Sequence, residues 1–303
     1  MTYTAISRRS LLRGGTAGAL GATVSSFAPT AAAGPRPTGP RGLDRALANL
    51  ERASGRTIGA VAGARSRTSY RYRADQRFPM CSLFKTLLVG LLLRDHAYDD
   101  GFWRRRVTFS VDDIVVNSLV CASDHDRNMS VSELADATLR YSDNTAGNLL
   151  LRLVGGPMAV TRFATDLGVR NTRLDRWEPE LNVVAPGDPR DTSTPSDIHR
   201  LYGRLLVGDA LDRLGQARLR DWMLRNTTAR NRLGRALPQG AELADKTGAG
   251  AYGVVNDAGV FWRGDDLLSI VVMTRTDDPS ASNQDDVVAQ VGALLVDSFL
   301  PGR

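Results

Sequence analysis

A mixed α/β (α+β) fold is predicted by this 303-residue sequence, and three observations predict it. One helix and two strands open the folded part of the chain. The middle is a succession of helices. Strand-like alternation returns after Glu242 and gives way to one closing helix. Composition is compatible with that class: 42% hydrophobic and 24% charged residues are near the globular average, which excludes a disordered chain, a collagen-like repeat and a disulfide-dense mini-protein. The body of the chain holds no run of about 18 uncharged apolar residues, so a polytopic membrane protein is excluded too.

The elements follow in order. Residues 1–33 are predicted to be an export leader rather than fold. Ser7-Arg8-Arg9-Ser10-Leu11-Leu12 is a twin-arginine pattern, a weakly apolar Gly/Ala run follows from Gly14 to Phe27, and Ala31-Ala32-Ala33 offers small-residue cleavage. Helix is expected over Leu43–Ser54, then strands over Thr57–Arg65 and Ser69–Arg73. Pro79 closes the next segment, and Ser82 to Leu93 is apolar on nearly every helical face, hence a buried helix with Ser82 in its first turn. Ser130-Val131-Ser132-Glu133 is a capping box opening a helix through Tyr141. A further helix runs from Thr145 to about Val154. The stretch from Asn171 to Pro195 has four prolines and no clear period, the mark of a long functional loop. Strands are expected after Glu242, within Gly253–Trp262 and over Leu267–Thr274, before a last helix from Gln284 to Leu300.

Charge excludes more than it suggests. The net charge of +6 includes three leader arginines and no leader acid, so the remaining chain carries only +3. Nucleic acid is therefore not an expected partner, and Arg104-Arg105-Arg106 is expected to be a solvated face. Cys81 and Cys121 lack the spacing of a metal or redox site and are expected as free buried thiols. His96, His125 and His199 are scattered without metal-ligand spacing. Neither a metal nor another cofactor is expected.

Lysine is the informative residue. Only two of the 39 basic residues are lysines, Lys85 and Lys246. Arginine replaces lysine wherever the two are interchangeable, and they are not where a compact, deprotonatable ammonium is needed. Lys85 lies three residues after Ser82, on the same helical face. A buried amine beside a serine hydroxyl can activate it as a nucleophile, and an N–H at the helix start can face a developing oxyanion. Lys246 begins Lys246-Thr247-Gly248 in a strand–turn–strand unit, where glycines let another molecule lie against the backbone. Ser142-Asp143-Asn144 forms a helix junction between the two lysine motifs.

These motifs together resemble those of the class A serine β-lactamases. Ser82 and Lys85 match the family's Ser-x-x-Lys. Ser142-Asp143-Asn144 matches its Ser-Asp-Asn, and Lys246-Thr247-Gly248 its Lys-Thr-Gly. Glu178-Pro179-Glu180-Leu181-Asn182 matches the Glu-x-x-x-Asn of its Ω loop, with Arg176 and Asp191 placed to close that loop by a salt bridge. The resemblance spans Leu43 to the C-terminus. It implies an antiparallel sheet with N- and C-terminal helices, built from residues 34–75 and 225–303, and a helical domain over 76–224 that includes the Ω loop at about 171–195.

The implied chemistry is acylation and deacylation of a β-lactam. Ser82 is the nucleophile, and the N–H groups of Ser82 and Ala249 hold the oxyanion. The attacking proton leaves through Lys85 or through a water held by Glu178, and both routes stay open. Ser142 relays a proton to the leaving nitrogen. Asn144 binds the substrate's side-chain amide, while Lys246, Thr247, Gly248 and an arginine hold its carboxylate. Glu178 and Asn182 position the deacylating water. The sequence departs from many relatives in having Val254-Val255 where a strand arginine is common, so Arg232 is the candidate for that contact. Asn117 stands where an aromatic often gates the cleft. A disulfide from Cys81 would need a partner at position 250, which is Gly250. The implied protein is an exported, secreted or periplasmic monomer without a stable membrane anchor. A penicillin-binding D-alanyl-D-alanine peptidase shares the three core motifs but not the glutamate loop, and a non-catalytic β-lactam sensor normally needs a membrane tether.

Overall fold

The computed structural model describes residues 39–64 and 67–299. The leader expected over 1–33 lies outside them. In chain order the elements are α1 (Gly39–Ser54), β1 (Thr57–Ala64), β2 (Arg67–Tyr72), β3 (Phe78–Pro79), α2 (Phe84–His96), α3 (Asp100–Arg104), β4 (Arg106–Thr108), α4 (Leu119–Ser123), β5 (Asn128–Ser130) and α5 (Val131–Arg140). They continue with α6 (Asn144–Leu153), α7 (Pro157–Asp166), β6 (Thr192–Ser193), α8 (Pro195–Leu206), α9 (Arg213–Leu224), β7 (Glu242–Ala249), β8 (Val255–Arg263), β9 (Asp266–Arg275) and α10 (Asp285–Phe299).

The main sheet has five antiparallel strands in the order β2-β1-β9-β8-β7, so both ends of the described chain build it. Apart from the polar residues clustered on β7 and β8, its inner strands are largely apolar on both faces because both faces are covered. Leu243, Val255, Phe261, Ile270 and Val272 pack with Leu43 and Leu47 of α1 and Val288, Val291 and Leu295 of α10. The alternate residues Ala244, Ala258, Val260, Val271 and Met273 pack toward α2, α5, α6 and α8. Period-two alternation thus sends each strand's side chains into two separate cores.

The all-round apolar character of α2 has the expected result: every residue from Phe84 to Leu93 is buried. Ser130 caps α5 through both bonds of its capping box with Glu133. Arg104, Arg105 and Arg106 are exposed, and both cysteines are free and buried. One local expectation needs correction. Ser82 does not lie in the first turn of α2 but in a 3-10 turn, Cys81–Leu83, that leads into it. Cys81 adopts a left-handed backbone, φ 47°, and Met80 N–H is held by Asp191 C=O at 2.8 Å. This bend delivers Ser82 at the tip of the helix. β7 is the edge strand beside it.

Candidate active site

Ser82, Lys85 and Glu178 meet in a buried cluster. Lys85 is wholly buried, Glu178 is 2% exposed and Ser82 6%. Lys85 Nζ donates to Ser142 C=O at 2.8 Å and to Asn144 Oδ1 at 2.7 Å, and lies 3.1 Å from Glu178 Oε1. The same Oε1 accepts from Ser82 Oγ across a longer 3.5 Å contact. This changes the expected relation between serine and lysine. Helical spacing brings Lys85 beneath Ser82, yet its amine is spent on two neutral oxygens and a carboxylate, and Glu178 is the group touching both. A lysine ringed by three acceptors acts as a donor, and its buried charge is matched by the glutamate.

Local structure explains each placement. Asp143 caps α6, its Oδ1 accepting from Ala146 N–H at 2.9 Å, while Oδ2 accepts from Val120 and Cys121 N–H. Ser142, just before that cap, is left-handed with φ 57°. That turn aims its carbonyl at Lys85 and its Oγ at Lys246 Nζ, 3.0 Å away. α6 lies so close to Lys85 that a Cβ at Gly147 would stand 3.3 Å from Lys85 Cε and from Thr138 Oγ1.

The 171–195 loop is closed as expected. Arg176 Nε meets Asp191 Oδ2 at 2.5 Å, and Asp191 Oδ1 accepts the N–H groups of Asp175 and Arg176. Asn182 Nδ2 donates to Glu178 Oε2, and Asn182 C=O accepts from Ala251 N–H at 2.9 Å, tying the loop to the end of β7. The fit there is tight. A Cβ at Gly250 would lie 2.5 Å from Asn182 O and 2.8 Å from Cys81 Sγ, so only glycine suits this position. Glu180 is exposed and makes none of these contacts.

Lys246 is wholly buried beneath Ser142 and Thr247. Burial, and next the Lys85 charge, push its ammonium down to about 7. Arg232 is 8% exposed rather than on the surface; Nη1 donates to Gly248 C=O and Asn256 C=O, and Nε pairs with Asp285 at 2.8 Å. It underpins β7 at the Lys-Thr-Gly segment and adds positive charge beside Lys246. Gly250 N–H bonds inward to Val254 C=O, so strand alternation turns the Ala249 N–H toward the open edge, on the Ser82 side. Asn144 differs from expectation in being occupied at both ends: Oδ1 takes the Lys85 bond and Nδ2 donates to Val116 C=O at 3.0 Å. One N–H and one lone pair are left for a substrate.

Two site residues escaped the sequence reading. Asn148 clamps the glutamate's backbone, accepting Glu178 N–H at 3.0 Å and donating to Glu178 C=O at 2.8 Å. Asn256 is wholly buried and donates to Pro79 C=O at 2.8 Å, fixing the segment that leads to Ser82. Asn148 interrupts the apolar face of α6, and Asn256 with Asp257 interrupts the apolar run of β8, which is the signal that could have found them.

The profile of the β-lactamase enzyme family matches residues 42–299. The chain belongs to this family. A β-lactamase of Streptomyces fradiae is 43% identical over 298 residues, covering 96% of each chain. A β-lactamase of Nocardia farcinica is 41% identical over 253 residues, 82% of this chain and 80% of its own. The solved β-lactamase of Streptomyces albus G superimposes with a TM-score of 0.81 at 44% identity, covering 84% of this chain and 98% of its own. That of Desulfarculus baarsii DSM 2075 gives 0.83 at 36% identity, covering 87% and 98%. The class A serine branch that the motifs resemble is the one these β-lactamases support, and they share the mixed fold of this chain.

Proposed function

We propose that the protein hydrolyses the β-lactam amide of penicillins and cephalosporins through an acyl-enzyme on Ser82, conferring resistance to them. The observation that carries this reading is the Ser82–Glu178–Lys85 contact, with Asn182 on the other carboxylate oxygen. Ser82 Oγ attacks the lactam carbonyl and forms the ester bond, its proton passing to Glu178. The Ser82 and Ala249 N–H groups hold the oxyanion. The ring C–N bond then breaks as Ser142, bonded to Lys246, hands its proton to the leaving nitrogen and regains one from Lys85, which takes up the Glu178 proton in turn and so restores the carboxylate. Glu178 and Asn182 next orient a water whose oxygen attacks the ester; Glu178 takes the water proton and returns it to Ser82 Oγ as the ester C–O bond breaks. Lys85 holds Glu178 and Asn144 in place by charge. Asn144 offers its remaining amide valences to the substrate side chain. Lys246, Thr247, Gly248 and Arg232 make the positive end of the cleft for the substrate carboxylate.

A chromogenic cephalosporin separates this reading from the peptidase. Many turnovers per enzyme are expected; one stoichiometric burst followed by silence contradicts it. The glutamate loop supports release and so disfavours a protein that stays acylated. We take the active form to be a monomer exported on its twin-arginine leader. No described helix is long and apolar enough to cross a membrane.

Two further results are expected. Arg232→Ala should raise KM for a penicillin about 10- to 100-fold, or ~1.4–2.8 kcal/mol of recognition, with kcat less affected. Unchanged KM in a folded variant rules out its part in carboxylate binding. The Lys246 charge predicts a pH effect: its ammonium is present below about 7 and lost above it. KM for a carboxylate-bearing substrate should therefore rise by up to about tenfold as pH climbs from 6 to 8, the scale of a 1.4 kcal/mol charge contact. A KM flat across that range contradicts the assignment.

A further inference from the structure

Two acids lie behind the cleft edge with too few donors for two negative charges. Asp245 on β7 is 2% exposed and Asp257 on β8 is wholly buried. The register pairs Asp257 with Thr247 and Asp245 with Gly259, so both side chains leave the same face of the sheet. Asp245 Oδ2 accepts from Asn226 Nδ2 at 2.8 Å, and Asp257 Oδ2 from Leu233 N–H at 3.0 Å. Asp257 Oδ1 is buried and finds no donor among the described residues. The two side chains stand within hydrogen-bonding reach of one another. Two carboxylates in such contact repel, whereas an acid facing a carboxylate makes a strong O–H···O⁻ bond.

We infer that Asp245 and Asp257 share one proton, and that this singly charged pair positions the Lys246–Thr247–Gly248 edge of the cleft. One proton gives Asp257 Oδ1 its missing partner. It also leaves one negative charge close to two cations, Arg232 in the segment before β7 and Lys246, whose side chain leaves the opposite face of the strand. Arg232 is already paired with Asp285 of α10, and Tyr202 of α8 is the remaining titratable side chain that senses both acids. Burial, and then the Asp257 charge, raise the Asp245 carboxyl well above the usual carboxylate range, and burial raises Asp257 to about 6. Asn226 links the pair to the substrate end. It holds Asp245 and accepts from Thr228 Oγ1 at 2.7 Å, while Thr228 Oγ1 lies 2.5 Å from Thr247 Oγ1. The pair touches no reacting atom, so these are positioning residues.

The test compares the wild-type protein with Asp245→Asn, whose amide N–H replaces the acid's O–H as donor to Asp257 Oδ1. At pH 7 the wild-type-minus-variant infrared spectrum should contain a protonated-carboxyl C=O band. Both acids bind a proton more tightly folded than unfolded. The wild type therefore loses stability as pH rises above about 4, by up to tenfold in the unfolding constant per unit for each proton held, and the variant, which lacks the Asp245 acid, should show a dependence flatter by one proton. The variant should fold and keep its penicillin KM within about twofold, because the amide preserves the bond. Absence of the band, parallel unfolding curves, a tenfold rise in KM, or a variant that fails to fold overturns the inference. The infrared and unfolding measurements use no substrate and stand apart from the proposed reaction, on which only the KM comparison rests.

Discussion

Lys85→Ala is expected to lose both stability and acylation. The wild-type amine satisfies three oxygens at once, one of them the carboxylate of Glu178, which is 2% exposed. Truncation leaves that buried carboxylate without its counter-ion. Removing one partner of a buried pair costs about 3–5 kcal/mol, so the midpoint of urea unfolding should fall accordingly. The chemistry suffers separately. Without Lys85 the glutamate is no longer held against Ser82 Oγ, and Asn144 loses the bond that orients its amide. Acylation measured by stopped flow should slow by roughly 10²–10⁴-fold, the usual worth of a positioned acid–base group. A variant that keeps wild-type stability would show that the Lys85–Glu178 contact contributes nothing to the fold.

Glu178→Gln should have an equally large effect, but on the second half of the reaction. The amide keeps the size of the side chain and its place between Lys85 and Asn182, yet it cannot take a proton from water. Steady-state turnover of a good penicillin should drop by about 10²–10⁴-fold. Ser82 should still be acylated, though more slowly than in the wild type, because loss of the carboxylate removes the Lys85 counter-ion and frees its amine to take the Ser82 proton. Glu180→Gln is the control two residues away. Glu180 is exposed and touches none of the site, so that variant should keep most of its turnover.

Several features of this site were legible in the sequence because they are local. The Ser82/Lys85 interval, the capping box at Ser130, the proline-rich loop and the strand alternation around Lys246 each reflect a short-range constraint, and each lies where that constraint puts it. What stayed hidden is the identity of partners far along the chain. Lys85 and Glu178 are brought together by folding, 93 positions apart, and helical spacing alone pointed the lysine at Ser82 instead. The left-handed turn at Cys81 was equally invisible, since cysteine carries no preference for that backbone. Asn148, Asn256, Asp245 and Asp257 were the discoverable omissions. All four are polar residues buried within otherwise largely apolar elements, and each braces the site rather than reacting in it.

Release of the Ser82 ester is expected to depend on the loop glutamate. Intact mass spectrometry of Glu178→Gln, sampled over time after mixing with penicillin and followed by peptide mapping, tests it most directly. A persistent one-to-one adduct on Ser82 in the variant, with wild-type enzyme returning to its free mass, is the predicted result. An adduct that clears from Glu178→Gln at the wild-type rate, or a wild-type enzyme that itself stays acylated, would contradict it.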